Sequence, residues 1–251
     1  MVRIAEIQAK GILNKSKIFE YCLNPYTGCL HGCKYCYASL FMRKYSGHAE
    51  PWGQFIDIKV NAPELLRKQL PRARKGTIWI ASVCDPYQPV EASYQLTRKC
   101  LQEISRYQFP VFVQTKSDLV VRDLDILTGI RDIEIGFSLA TDSDRIARIF
   151  EPGAPSITRR LKALEKIKSR NLKTFVFVGP ILPQKPGKLI SMIKGLADKV
   201  FIDRLNYSNQ FTNFYQQHNL EAFAREEFFE QVKQVLVGEL EKQNINYELI
   251  F

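Results

Sequence analysis

Thr77-Ile-Trp-Ile-Ala-Ser-Val-Cys-Asp-Pro-Tyr-Gln-Pro-Val-Glu91 is followed by an amphipathic stretch around Tyr94–Tyr107 and then by Pro110-Val-Phe-Val-Gln-Thr115. A short β-rich run, a proline-rich polar turn, a helix-length segment and a second β-rich run make one βα unit. Outward from it the same alternation continues, with strands expected at Ile133–Leu139, Thr174–Val178 and Val200–Ile202. Helices are expected near Val120–Thr128, Ser156–Arg170 and Lys188–Ala197, and a first strand near Ile18–Leu23. About six βα repeats predict an α/β fold in which a curved parallel sheet forms a partial (β/α)6 barrel. Asn61-Ala-Pro-Glu64 offers a helix cap with an early proline and an acid in the first turn, and Ser156 is positioned to cap another helix. After Asn206 the chain turns polar and aromatic, and Leu220–Gln243 reads as one or two amphipathic helices. One domain over 1–251 is expected, with a core at about 18–205 and a C-terminal helical extension at about 206–251.

The 251 residues are near the upper size of a single compact core, and 45% hydrophobic with 25% charged residues is an ordinary globular mixture. The longest apolar runs, such as Thr174 to Pro183, are far shorter than the ~20 residues that span a bilayer, and the N-terminus carries no apolar signal core. No membrane association and a cytoplasmic location are therefore expected. Thirty-six Lys and Arg against 26 Asp and Glu give a formal charge of +10. That excess attracts polyanions, although its spread over Arg67–Lys75, Arg159–Arg170 and Lys185–Lys199 also describes solvated basic helix faces.

Six cysteines occur, three of them within eight residues. Clustering of this kind points to a metal site rather than a disulfide framework in a chain of this length. The segment is Asn24-Pro-Tyr-Thr-Gly-Cys29-Leu-His-Gly-Cys33-Lys-Tyr-Cys36-Tyr37. Glycine before Cys29 and before Cys33 allows a tight backbone curl. Three thiolates satisfy three irons of a [4Fe–4S] cubane and leave one iron open to a second molecule. Two other readings compete: a tetrahedral zinc site completed by Cys22 or His31, which would make the chain a zinc-stabilised nucleic-acid-binding protein, and a ferredoxin-type carrier, which needs a fourth cysteine at short spacing. None follows Cys36 until Cys84.

The C-x3-C-x2-C spacing with Tyr35 before the last cysteine resembles the signature of the radical S-adenosylmethionine (SAM) superfamily. Resemblance implies that Cys29, Cys33 and Cys36 bind the cluster, that SAM chelates the open iron, and that its reductive cleavage yields a 5′-deoxyadenosyl radical for hydrogen abstraction. It also implies that Tyr35 lies near the adenine and that a low-potential donor, flavodoxin or ferredoxin, supplies the electron.

Further segments are similar to the spore photoproduct lyase-like, or DNA repair photolyase-like, group of that superfamily. They are Asp85–Glu91, Thr115-Lys-Ser-Asp-Leu-Val-Val-Arg-Asp123, Phe137-Ser-Leu-Ala-Thr141, Glu151-Pro-Gly-Ala-Pro155 and Gly179-Pro-Ile-Leu-Pro183. The similarity runs from about residue 20 to 205. It implies that Lys116 and Ser138 contact the methionyl and ribose parts of SAM, and that Tyr37 relays hydrogen. Cys84 is a candidate donor of the hydrogen atom that quenches the product radical, or a small polarizable filler. Asp85 and Glu91 follow an apolar strand at the barrel mouth, where carboxylates can orient a cationic sulfonium. Tyr87 and Gln88 are divided between ligand binding and turn chemistry. The resemblance implies repair of a DNA photolesion; RNA, a peptide or a small metabolite are the alternative substrates.

Overall fold

The computed structural model describes residues 2–205 and 211–250. Residues 206–210, where the expected C-terminal extension begins, lie outside the described residues, as do Met1 and Phe251. The strands are β1 (Arg3–Ile7), β2 (Leu13–Lys15), β3 (Tyr21–Leu23), β4 (Tyr26–Thr27), β5 (Phe55–Lys59), β6 (Ile78–Ile80), β7 (Val111–Thr115), β8 (Ile133–Ser138), β9 (Lys173–Val178), β10 (Lys199–Ile202) and β11 (Asn246–Leu249). The helices are α1 (Ala38–Ser46), α2 (Ala62–Gln69), α3 (Glu91–Tyr94), α4 (Leu96–Tyr107), α5 (Leu124–Leu127), α6 (Asp144–Phe150), α7 (Ile157–Lys168), α8 (Pro186–Ile193), α9 (Thr212–Gln217) and α10 (Glu226–Lys242).

One sheet runs β11-β10-β9-β8-β7-β6-β3-β2. All its pairings are parallel except β2 with β3. The six strands read from the sequence are β3 and β6 to β10, and the fold is a partial (β/α)6 barrel with a C-terminal extension.

Side chains alternate between the two faces of each strand. Outward rows such as Ile78 and Ile80, Val111 and Val113, Ile133 and Ile135, and Val176 and Val178 are buried in one core with the apolar faces of the helices. Inward rows line a cavity and change character along each strand: Phe112 leads through Gln114 to Lys116, Phe177 to Gly179, and Phe201 to Asp203. Aromatic carbon thus forms a middle band of the concave face, between charged groups such as Glu134 and Lys199 at the amino-terminal edge and the polar groups at the carboxyl end. Gly136 on β8 makes room at the centre. An added Cβ there would collide with the Phe175 ring, which stacks on Phe112 from β7 with centroids 4.4 Å apart and planes at 15°.

Several details depart from the sequence reading. Asn61 does not cap α2; its side-chain amide accepts from Ala9 N and donates to Ala9 O, both at 2.9 Å. The expected helix over Val120–Thr128 is a 3-10 turn at Asp118–Asp123 followed by the short α5. Ser156 does cap α7, accepting from Arg159 N at 3.3 Å. A second sheet, β1-β5-β4, was not foreseen. The C-terminal extension is not helical throughout: after α10, whose Phe229, Val232, Leu236 and Leu240 are buried, β11 adds a parallel strand beside β10. Among the described residues no helix is long and apolar enough to cross a membrane.

Candidate active site at the carboxyl ends of the strands

The cysteine loop leaves β4 and enters α1, and its shape is set by backbone bonds. Gly32 N donates to Cys29 O and Cys36 N to Cys33 O, both at 3.2 Å, giving two successive tight turns. Gly28 adopts φ +90°, and a Cβ there would come within 2.4 Å of Phe55 O; Gly32 at φ +58° packs against Gly53. Only glycine takes both the dihedral and the close approach without cost. Outside contacts hold the loop. Gln88 accepts from Leu30 N at 2.8 Å and donates to Gly28 O at 3.2 Å; Gly153 N donates to His31 O at 3.0 Å and Lys34 N to Phe150 O at 2.8 Å.

All three thiols are free and line one cavity of about 810 Å³, with Cys29 and Cys33 buried. Asp85 N donates to Cys29 Sγ at 3.4 Å. Burial pushes the Cys33 thiol up to about 12, against the pull of the nearby Lys116 ammonium. Thiols so raised become thiolates when cations bind them. Among the described residues no three His, Cys, Asp or Glu side chains converge on a single-ion position. A cubane places each thiolate on a different iron, and the free thiols, the glycine curls and the N–H aimed at sulfur fit such a group.

Asp85, directly after the β6 turn, organises the floor of the site. Its carboxylate accepts from Thr115 Oγ1 at 2.6 Å, Lys116 N at 2.7 Å and Tyr87 N at 2.9 Å. His31 Nδ1 lies 3.4 Å from Asp85 Oδ2 at ion-pair range without hydrogen-bond alignment. Burial would raise the Asp85 carboxyl, but His31, Thr115 and the Lys116 amide outweigh it and bring the group down to about 2.

Opposite Asp85 is a buried chain of polar groups. Tyr35 OH donates to Glu151 Oε1, Arg160 Nη2 to Glu151 Oε2, Arg160 Nη1 to Ser138 O at 2.9 Å, and Gln114 Nε2 to Ser138 Oγ at 3.0 Å. Lys116 Nζ is 3.9 Å from Glu151 Oε1 and 5.6 Å from the Tyr35 ring centroid. Burial alone would lower the Lys116 ammonium, yet Cys33 and Glu151 hold it above its usual value. Burial likewise opposes Glu151 ionisation, and Arg160 and Lys116 hold the carboxyl below its usual range.

Residues 23–194 match the sequence pattern of the Radical SAM superfamily. The chain belongs to that superfamily. It is 34% identical over 229 residues to the uncharacterized protein MJ0683 of Methanocaldococcus jannaschii, covering 90% of this chain and 81% of that one. Its fold is similar to spore photoproduct lyase, including a C140A mutant with dinucleoside spore photoproduct, at TM-score 0.72 and 17% identity, over 99% of this chain and 81% of the other. It is also similar to Streptococcus suis SuiB bound to S-adenosylmethionine, at TM-score 0.61 and 13% identity, over 92% of this chain and 50% of the other.

In this radical SAM protein the cavity gathers Cys29, Cys33, Cys36, Tyr35, Tyr37, Cys84, Asp85, Lys116 and Ser138. Tyr37 is 47% exposed at the rim, and its hydroxyl donates to Ser82 O. Cys84 Sγ lies 3.7 Å from Tyr26 O, and burial pushes its thiol up to about 12. Glu91 is the exception. It does not line the cavity: its carboxylate accepts from Tyr26 OH, Thr97 N at 2.9 Å, Arg98 N at 3.2 Å and Arg122 Nη2 at 2.7 Å. Those four donors satisfy both oxygens and leave nothing for a cofactor. Gln88 resolves as a brace of the cysteine loop. Sequence reasoning missed Arg160, whose guanidinium links Glu151 to Ser138 O, and assigned no role to Glu151 within its quoted motif. The spacing of 116 positions between Tyr35 and Glu151 hides their pairing.

Proposed function

We propose that Cys29, Cys33 and Cys36 bind a [4Fe–4S] cluster by three corners, that SAM completes the site, and that the protein is a hydrogen-abstracting radical SAM enzyme. The supporting observation is the three-thiol loop, free of a fourth cysteine, opening on a cavity whose lining carries the cation, hydroxyl and aromatic ring that SAM requires. When bound, the cluster and SAM supply reductive cleavage of the sulfonium and a 5′-deoxyadenosyl radical. Lys116, its charge secured by Glu151 and Cys33, attracts the SAM carboxylate. Ser138 accepts from Gln114 and keeps its own proton for a ribose oxygen. Tyr35, pinned by Glu151, offers its ring to the adenine. Asp85 positions the site by fixing the Lys116 backbone and presenting its N–H to Cys29. Cys84, held as a neutral thiol by burial, is a hydrogen-atom donor to a product radical, and Tyr37 stands beside it at the rim as a relay.

For the substrate, the fold shared with spore photoproduct lyase and the +10 charge support a nucleic acid carrying a photolesion. Flavodoxin or ferredoxin is the proposed reductant, and reduced thiols with an oxygen-sensitive cluster suit a cytoplasmic location. Anaerobic reconstitution tests the reading: a brown protein with about four irons per chain forms 5′-deoxyadenosine from SAM under dithionite, and irradiated DNA raises the yield. A verified reduced cluster that produces no 5′-deoxyadenosine overturns it, as does one zinc per chain in a colourless preparation.

A further inference from the structure

We infer that Lys34, Arg145 and Arg148 form the docking surface for an acidic one-electron carrier protein. The inference rests on the cluster reading above and adds where the electron enters. Lys34 directly follows Cys33 and is exposed, and its backbone N–H holds the carbonyl of Phe150, the last residue of α6. This bond seats α6 against the cysteine loop. Arg145 and Arg148 stand three residues apart on α6, both exposed, and so share a helix face.

Charge accounting distinguishes this patch from an ordinary solvated surface. From Tyr21 to Ala49 the chain has no Asp or Glu. The acids in and next to α6 are already committed. Asp142 accepts from Lys185 N at 2.8 Å and pairs with Lys188 at 3.0 Å. Asp144 accepts from Ile157 N at 2.6 Å, and Glu151 is taken by Tyr35 and Arg160. Among the described residues the three cations have no side-chain hydrogen bond or ion pair. An uncompensated positive patch raises the encounter rate of an acidic partner.

Position selects an electron carrier over a substrate. None of the three side chains lines the cavity that would take SAM and substrate. From the patch, one peptide link leads to a cluster thiolate. The step moves a single electron: the reduced carrier is oxidised, the oxidised cluster is reduced, and no bond forms or breaks.

The test uses reconstituted protein, reduced flavodoxin as probe, and two variants, Arg145→Glu/Arg148→Glu and Lys34→Gln, the latter sparing the loop a reversed charge. Stopped-flow absorbance follows cluster reduction and calorimetry measures flavodoxin affinity at low salt. The double variant is expected to weaken binding and slow carrier-driven reduction by about tenfold or more, with Lys34→Gln showing a smaller loss. Wild-type rates should fall as salt rises, while iron content and dithionite-driven 5′-deoxyadenosine stay at wild-type levels in both variants. Unchanged affinity and rate with flavodoxin overturn the inference, and so does loss of DNA binding with intact carrier reduction. If dithionite itself fails to yield 5′-deoxyadenosine in the wild type, the proposed function fails instead, and calorimetry still reads the patch.

Discussion

Glu151 carries more of the site than its place in a turn motif suggests, because Tyr35, Arg160 and Lys116 all converge on one buried carboxylate. Replacing Glu151 with Gln leaves the Arg160 guanidinium buried without its counter-charge, and a loss of about 3–5 kcal/mol is expected in urea unfolding. The same residue sets an acid dependence. Its native carboxyl is held below the usual range, so its contribution is complete above about pH 4.3, the unfolded value, and fades as pH falls through the lower native value. Stability curves of wild type and Glu151→Gln should therefore converge in acid; parallel curves contradict the assignment. Cys84 makes a chemical prediction. A half-buried neutral thiol lining the cavity exchanges its proton with solvent, so product formed in D2O should carry deuterium at the quenched carbon. Cys84→Ala should still form 5′-deoxyadenosine but give less product per cofactor consumed and lose that label, as read by mass spectrometry.

Elements differ in how much of their role is local. The strands β6 to β10 announce themselves through apolar β-rich runs between turn residues, and the loops after them fall where a parallel barrel puts its chemistry. Their inner faces are less obvious, since Phe112 and Phe175 approach each other only across the bare backbone of Gly136. Gly136→Ala should force that ring stack apart, with an expected loss of about 1–3 kcal/mol and a lower melting temperature by calorimetry; an unchanged melt would mean that the stack does not matter. Glu91 shows the opposite failure. A carboxylate after a strand and a proline turn looks like a ligand group, yet Tyr26 and Arg122, 65 and 31 positions away, claim it. Strand β11 is not legible in the sequence because its four residues, three exposed and one half-buried, contain too few apolar positions for a clear pattern, and only the β10 edge recruits them.

At the scale of the whole molecule, neither the core nor the bracing of the cysteine loop depends on the thiols. The large core runs continuously from the outer strand faces through α4, α7, α8 and α10, whereas Gln88, Gly153 and Phe150 brace the cysteine loop without using the thiols. Removing the proposed cluster with a chelator should therefore abolish 5′-deoxyadenosine formation while leaving far-UV circular dichroism nearly unchanged. Collapse of the spectrum on metal loss, the behaviour of small zinc-dependent folds, would show that the metal holds the structure together.

What the chain alone determined is what depends on neighbours in sequence. Strand and helix periods, the curl of the cysteine loop and the order of the loops along one sheet edge are local consequences of side-chain alternation and glycine dihedrals, and they point to the superfamily directly. Tertiary structure decided the assignments that depend on distant partners: Glu91 to a brace, Asp85 to the Thr115 hydroxyl and the Lys116 amide, Arg160 and Glu151 to one buried polar chain, and β11 to the sheet. A polar side chain's role is set by which donors and acceptors reach it once water is excluded, and that inventory exists only after the chain has closed on itself.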